Sequence, residues 1–346
     1  LELNSGKRYN APRSDAFSAR SLVFHSEASM KRSTLIWGTV LMAASFSLRD
    51  AAAADLPAAN QVKIEKLFEV SGYCEGVVFD HAGNGYVSYK DTIEQFKLDG
   101  SHQPWAVTGA PNGHKVLADG THLVCDASRH AVLRLDASGK LLDPASAECG
   151  GKPLRGPNDL TLDPRGGFYF TDPGGSSDVT PIGTVHYVDP AGKTHLIAEN
   201  LAFPNGIVLV PGGKKLLVAE SKKNRVLAYD IITPGQLGPL TVFAELPSKE
   251  GEQIDNQPDG MCLDAQGNLY VAHYGMRQVQ VLDPQGKLIR RYPGGNLTTS
   301  NVAFGGPKME HLFITGGLGA EAGGGGLFRI DLGAKGLVIL PAKAAP

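Results

Sequence analysis

After residue 60 the apolar positions fall into short runs of about four to six residues, such as Gly85-Tyr86-Val87-Ser88-Tyr89 and Leu269-Tyr270-Val271-Ala272. Asp, Gly, Asn and Pro punctuate them at close intervals, and no long helical periodicity develops. Short apolar runs between turn residues predict β-strands in hairpins. One segment makes the pattern plain. Gln257-Pro258-Asp259-Gly260-Met261-Cys262-Leu263-Asp264 places a carboxylate before a glycine and a strand, and Ala265-Gln266-Gly267-Asn268 then turns into the next strand.

The chain repeats this arrangement. Units begin at Glu75, Asn112, Asn158, Asn205, Asp259 and near Ser300-Asn301, and with Asn301 as the last marker the intervals are 37, 46, 47, 54 and 42 residues. Each unit gives two short strands and then a third, among them Ile93 to Leu98, Thr184 to Val188, Arg225 to Tyr229 and Gln278 to Leu282. A period of roughly 40 to 50 residues with three or four strands per repeat is the mark of propeller blades. The expected fold is an all-β, six-bladed β-propeller. Such a blade exposes apolar faces on both sides, so the ring must close. The sixth unit runs out of residues after Val338-Ile339-Leu340, and the loosely alternating stretch Val62 to Val70 is therefore expected to complete it as an N-terminal closing strand.

Composition agrees with many tight turns: 346 residues hold 43 Gly and 22 Pro with only 7% aromatic residues. The first 54 residues read differently. Met30-Lys31-Arg32, an apolar stretch from Leu35 to Leu48 and Ala51 to Ala54 read as a signal peptide over 30 to 54, too short to span a membrane. Residues 1 to 29 read as an upstream extension or a misassigned start, expected to be disordered, and residues 55 to 346 as the propeller domain. The expected location is exported, periplasmic or secreted, with no membrane anchor after cleavage. Without residues 1 to 54 the chain keeps 26 Lys/Arg against 31 Asp/Glu, near −5, which gives no footprint for nucleic acid. Cys74, Cys125, Cys149 and Cys262 show neither a CxxC pair nor zinc spacing; Cys125 with Cys149 is a candidate disulfide, and buried thiols are the simpler reading.

In a propeller the inner strand of each blade lines a central channel, so Glu75, Asn158, Asn205 and Asp259 are expected to converge although they are far apart in sequence. Two carboxylates and two amides are hard oxygen donors suited to a divalent cation, calcium before magnesium, manganese or zinc. Without a cation the paired carboxylates would repel each other. Each residue taken alone is an ordinary turn residue. Four at one point of the repeat favour a shared site, since every blade already has its own turn further on.

Cys74-Glu75-Gly76, Gly156-Pro157-Asn158-Asp159, Phe170-Thr171-Asp172-Pro173, Phe203-Pro204-Asn205-Gly206 and Pro258-Asp259-Gly260-Met261 resemble the SMP-30/gluconolactonase/LRE (regucalcin-like) family of six-bladed propellers over roughly residues 62 to 340. The resemblance implies that Glu75, Asn205 and Asp259 are metal ligands, and that Asn158 touches the metal, its water or the substrate. It also implies hydrolysis of a sugar lactone such as gluconolactone as the activity and a small lactone as the partner. Asp259 is the candidate base; that it only binds metal, with a metal-held water attacking, stays open. Arg155 and His273 are secondary substrate-binding candidates. An exposed loop arginine and an inter-blade hydrogen bond are their plainer readings, and Asp172 reads as a turn former. A phosphotriester or another ester on the same site, or a non-enzymatic ligand-binding propeller, are the alternatives. There is no G-x-S-x-G stretch and no phosphate loop.

Overall fold

The computed structural model describes residues 56–249, 256–319 and 323–339. The expected extension and signal peptide lie outside the described residues. The turn after the first inner strand shows why the units repeat. Asp80 Oδ1 accepts hydrogen bonds from the N–H groups of Ala82 and Asn84, each at 2.9 Å. Gly83 N–H donates back to Asp80 O at 3.1 Å, and Gly83 sits at φ +83°, where a Cβ would be strained. Asp264 does the same work in the fifth unit, accepting from Gln266 at 2.9 Å and Asn268 at 2.8 Å, with Gly267 at φ +85°. The Asp-x-x-Gly punctuation is thus a hairpin former.

Among the described residues six antiparallel blade sheets follow, with a small two-stranded ladder, Glu148–Cys149 against Lys152–Pro153, on the connection from blade 2 to blade 3. Blade 1 holds Cys74–Phe79, Gly85–Tyr89, Thr92–Phe96 and His102–Val107. Blade 2 has three strands, Pro111–Val116, His122–Asp126 and Ala131–Leu135, and isolated bridges to Leu141 and Ser146 take the place of an outer strand. Blade 3 holds Leu160–Leu162, Phe168–Asp172, Gly183–Val188 and Thr194–Leu201; blade 4 holds Pro204–Leu209, Lys215–Glu220, Arg225–Thr233 and Gln236–Glu245. Blade 5 holds Pro258–Leu263, Leu269–His273, Gln278–Leu282 and Leu288–Pro293. Blade 6 holds Thr298–Gly305, His311–Gly317 and Gly325–Asp331, and Ile64–Val70 completes it as the expected closing strand, with Ile64 opposite Ile330 and Val70 opposite Gly325.

Apolar layers fill the spaces between blades. Tyr270, Phe304 and Phe328 join one cluster, and Phe96, Phe313 and Val77 another that links blades 6 and 1. Complete burial of side chains this large contributes about 1.5–3 kcal/mol each. The clasp therefore holds by packing as well as by its ladder. Cys125 is buried in the cluster against which Cys149 packs, yet all four cysteines are free thiols, so the Cys125–Cys149 bridge is not formed. Among the described residues no helix is long and apolar enough to cross a membrane.

Candidate active site at the channel mouth

Four of the inner strands share one irregularity. Their pairing with the second strand skips between Cys74 and Val77, Pro111 and His114, Pro204 and Ile207, and Pro258 and Met261. Each skip is a bulge that releases two residues from the ladder: Glu75-Gly76, Asn112-Gly113, Asn205-Gly206 and Asp259-Gly260. The glycines let neighbouring heads approach. A Cβ on Gly76 would lie 2.1 Å from Asn112 O, and one on Gly206 would lie 2.3 Å from Asp259 O. Hydroxyls from one blade tie the head of the next: Ser88 Oγ donates to Asn112 O at 2.9 Å, Thr171 Oγ1 to Asn205 O at 2.8 Å and Ser221 Oγ to Pro258 O at 2.6 Å.

The same register corrects one marker. In blade 6 the skip falls between Thr299 and Asn301, and Val302 pairs with Ile314 as Met261 pairs with Val271. Ser300, not Asn301, is therefore the counterpart of Asp259. Its Oγ donates to Cys74 O at 2.6 Å and so ties blade 6 to the head of blade 1.

Asn205 and Asp259 are each 7% exposed, while Glu75 and Asn158 are half-buried. The Asn205 side chain is close enough to the Asp259 carboxylate to favour its charged form. Burial drives the Glu75 carboxyl well above the usual carboxylate range, and the charges of Asp259 and Asp159 push it further. Burial does the same to Asp259; Asn205 and the Gly260 N–H oppose the rise, and Asp159 adds to it. Asp159 thus acts on both Glu75 and Asp259, and Asp259 acts on Glu75.

Glu75 Oε2 and Asn158 Oδ1 are buried oxygens without a hydrogen-bond partner among the described residues. Buried acceptors of that kind call for a donor or a cation. All the donors are oxygen, and the described residues contain no group of three or more His, Cys, Asp or Glu with metal-holding geometry. Such a mixed carboxylate and amide set fits a hard divalent cation and does not fit a thiolate or imidazole metal centre.

The secondary candidates are each engaged by other contacts. Arg155 is exposed; its guanidinium donates to Ile182 O, and its backbone N–H donates to Asp172 Oδ2 at 2.9 Å. Asp172, accepting also from Gly156 N–H at 2.7 Å, is a turn former as expected. His273 is fully buried between blades 4 and 5, where Nε2 shares a 2.8 Å hydrogen bond with Asn224 Oδ1.

Sequence reasoning passed over Asp159, Lys115, Tyr73 and Tyr274. Asp159 stands where most heads carry glycine, a departure visible in Pro157-Asn158-Asp159. Tyr73 directly precedes Cys74-Glu75, and it lies close enough to Glu75 and Asp259 to feel both charges.

A sequence model described as the SMP-30/Gluconolactonase/LRE-like region matches residues 74–317. The chain belongs to this family. Gluconolactonase of Zymomonas mobilis is 31% identical over 218 residues, 59% of this chain and 60% of that protein. Lactonase drp35 of Staphylococcus epidermidis is 39% identical over 145 residues, 40% of this chain and 41% of that protein. The alignments to these two thus cover less than two thirds of the relatives' own length. Lactonase drp35 of Staphylococcus saprophyticus is 30% identical over 291 residues, 76% of this chain and 84% of that protein. Among solved structures, a gluconolactonase from Xanthomonas campestris superposes with a TM-score of 0.67 at 26% identity, covering 80% of this chain and 91% of that one. A regucalcin from Agrobacterium tumefaciens, described as a calcium-binding protein, shares the fold at 22% identity and a TM-score of 0.66, covering 81% and 96%.

Proposed function

We propose that this SMP-30-like propeller hydrolyses a sugar lactone with the aid of one divalent cation, calcium first, held by Glu75, Asn158, Asn205 and Asp259. The observation that carries the reading is the pair of buried, unpartnered oxygens on Glu75 and Asn158, beside a carboxylate whose charged form Asn205 favours. The named lactonases among the relatives point to the same substrate class. When bound, the cation would polarise the lactone carbonyl and offset the charge that grows on its oxygen.

The chain's own residues do the rest. Asn205 favours the charged form of Asp259, and that carboxylate is the group that takes a proton from the attacking water. The water oxygen bonds to the carbonyl carbon and the ring C–O bond breaks. The ring oxygen leaves as a hydroxyl after accepting a proton, and the product is the open-chain hydroxy acid. Glu75, deeper in charge repulsion than Asp259, serves as a permanent ligand. Export to the periplasm or medium remains part of the proposal.

The test is a panel of glucono-1,5-lactone, other lactones, aryl esters and a phosphotriester, run with chelator and then with calcium, magnesium, manganese or zinc restored. Chelator-sensitive opening of the lactone is expected. A rate equal to buffer with every metal sinks the reading, and turnover of the phosphotriester alone would move the activity to that class.

A further inference from the structure

The ring of ligand-type heads has a gap at blade 6, where Ser300 spends its hydroxyl on Cys74 O at 2.6 Å and on Thr315 Oγ1 at 3.0 Å. Two aromatic side chains flank that sector. Tyr73 comes from the approach to the inner strand of blade 1, is half-buried, and packs on Gly317, where an added Cβ would meet its Cδ2 at 3.1 Å. Tyr274 comes from the turn Tyr274–Met276 of blade 5 and is anchored by its N–H to Gln257 O at 2.9 Å. The two ring centroids lie 6.2 Å apart at 57°. The Tyr73 phenol is near enough to Ser300 and to the Glu75 and Asp259 carboxylates to feel all three. In a six-fold ring this sector faces blade 3 and its Asn158.

We infer that Tyr73 touches the substrate and selects hydroxylated lactones: its phenol donates a hydrogen bond to a ring hydroxyl, while the Tyr73 and Tyr274 rings wall the C–H face of the sugar. This rests on the lactonase reading and deepens it. A tyrosine pair offers both what a polyol ring needs, an apolar face and a polar tip. A site built to hydrogen-bond a hydroxyl discriminates against the analogue that lacks it. The structure supplies both parts beside Ser300, the uncharged head that stands between Asp259 of blade 5 and Glu75 of blade 1.

Three measurements test it. Tyr73→Phe keeps the ring and its contact with Tyr274, and should lower kcat/KM for glucono-1,5-lactone about tenfold while leaving δ-valerolactone within about twofold. Tyr274→Ala should raise KM for the sugar lactone more than it lowers kcat. Calcium titration and thermal unfolding of Tyr73→Phe should match the parent protein, as a structural role would not allow. Equal losses on both lactones, or no loss on either, overturn the inference. If the parent opens neither lactone, the lactonase reading fails on its own account. Calorimetric binding of D-gluconate in calcium then decides: an undiminished affinity in Tyr73→Phe overturns the contact, and a loss of about tenfold sustains it.

Discussion

Lys115 Nζ lies 3.8 Å from Asp159 Oδ1, across the seam between blades 2 and 3 and just below the ring of head residues. Asp159 is 3% exposed and also accepts hydrogen bonds from Leu160 N–H at 2.8 Å and Ile207 N–H at 3.3 Å. Burial raises its carboxyl, and Lys115 leads the groups that bring it back down. Lys115 thus offsets part of the charge of Asp159, the carboxylate that acts on both Glu75 and Asp259.

Lys115→Met removes that balance. Loss of one partner of a largely buried pair should cost about 2–3 kcal/mol of stability in chelator. Excess calcium should restore more stability to the variant than to the parent protein, because the site has become more negative. Urea unfolding with and without calcium measures both quantities. A variant with parental stability in chelator would show that Asp159 does not need Lys115.

Asp259→Asn should lower lactone turnover by at least about a hundredfold and weaken calcium binding. Because burial and a neighbouring charge oppose ionisation of Asp259 in the folded chain, the metal-free variant should be at least as stable as the parent. Activity assays paired with calorimetric calcium titration decide it. An unchanged rate would remove Asp259 from the site.

Gly206→Ala places a Cβ 2.3 Å from Asp259 O. The backbone of blade 5 has to move, at a cost of about 2–3 kcal/mol, and Asp259 moves with it. Calcium affinity should fall together with the unfolding midpoint. A fall in stability with undiminished affinity would separate the bulge from the site.

Burial holds His122, His186 and His273 down at about 4, against the ordinary value near 6.5. A histidine depressed in the folded state contributes its full stability above pH 6.5 and loses it as pH falls towards 4, because the unfolded chain takes up the protons first. Stability should therefore decline across that window by roughly 3 kcal/mol per histidine. Replacing His273 by Gln should flatten part of the slope in urea titrations at successive pH values. A slope unchanged by the substitution would mean that His273 is not the group being protonated.

The family, the six blades, the closing strand and the heads of blades 1 to 5 could be read along the chain, for a physical reason. A hairpin turn such as Asp264-Ala265-Gln266-Gly267 is made by neighbours in sequence, so its carboxylate and its positive-φ glycine must stand at fixed spacing. Repetition of that local device reveals the period, and the period implies the ring. Glu75, Asn158, Asn205 and Asp259 were legible because each stands at the same step of its repeat. What the repeat could not tell was how the blades meet. The skip that makes Ser300 and not Asn301 the head of blade 6 is a matter of pairing register. The placement of His273 against Asn224, the support of Asp159 by Lys115 and the approach of Tyr73 to Tyr274 each join residues from different blades. Contacts across a seam depend on how two twisted sheets pack, and no local spacing records that. The sequence by itself determined the units, their closure and the oxygen-bearing heads of blades 1 to 5; only the tertiary structure decided which side chains surround those heads, because charge balance and the aromatic wall arise between blades.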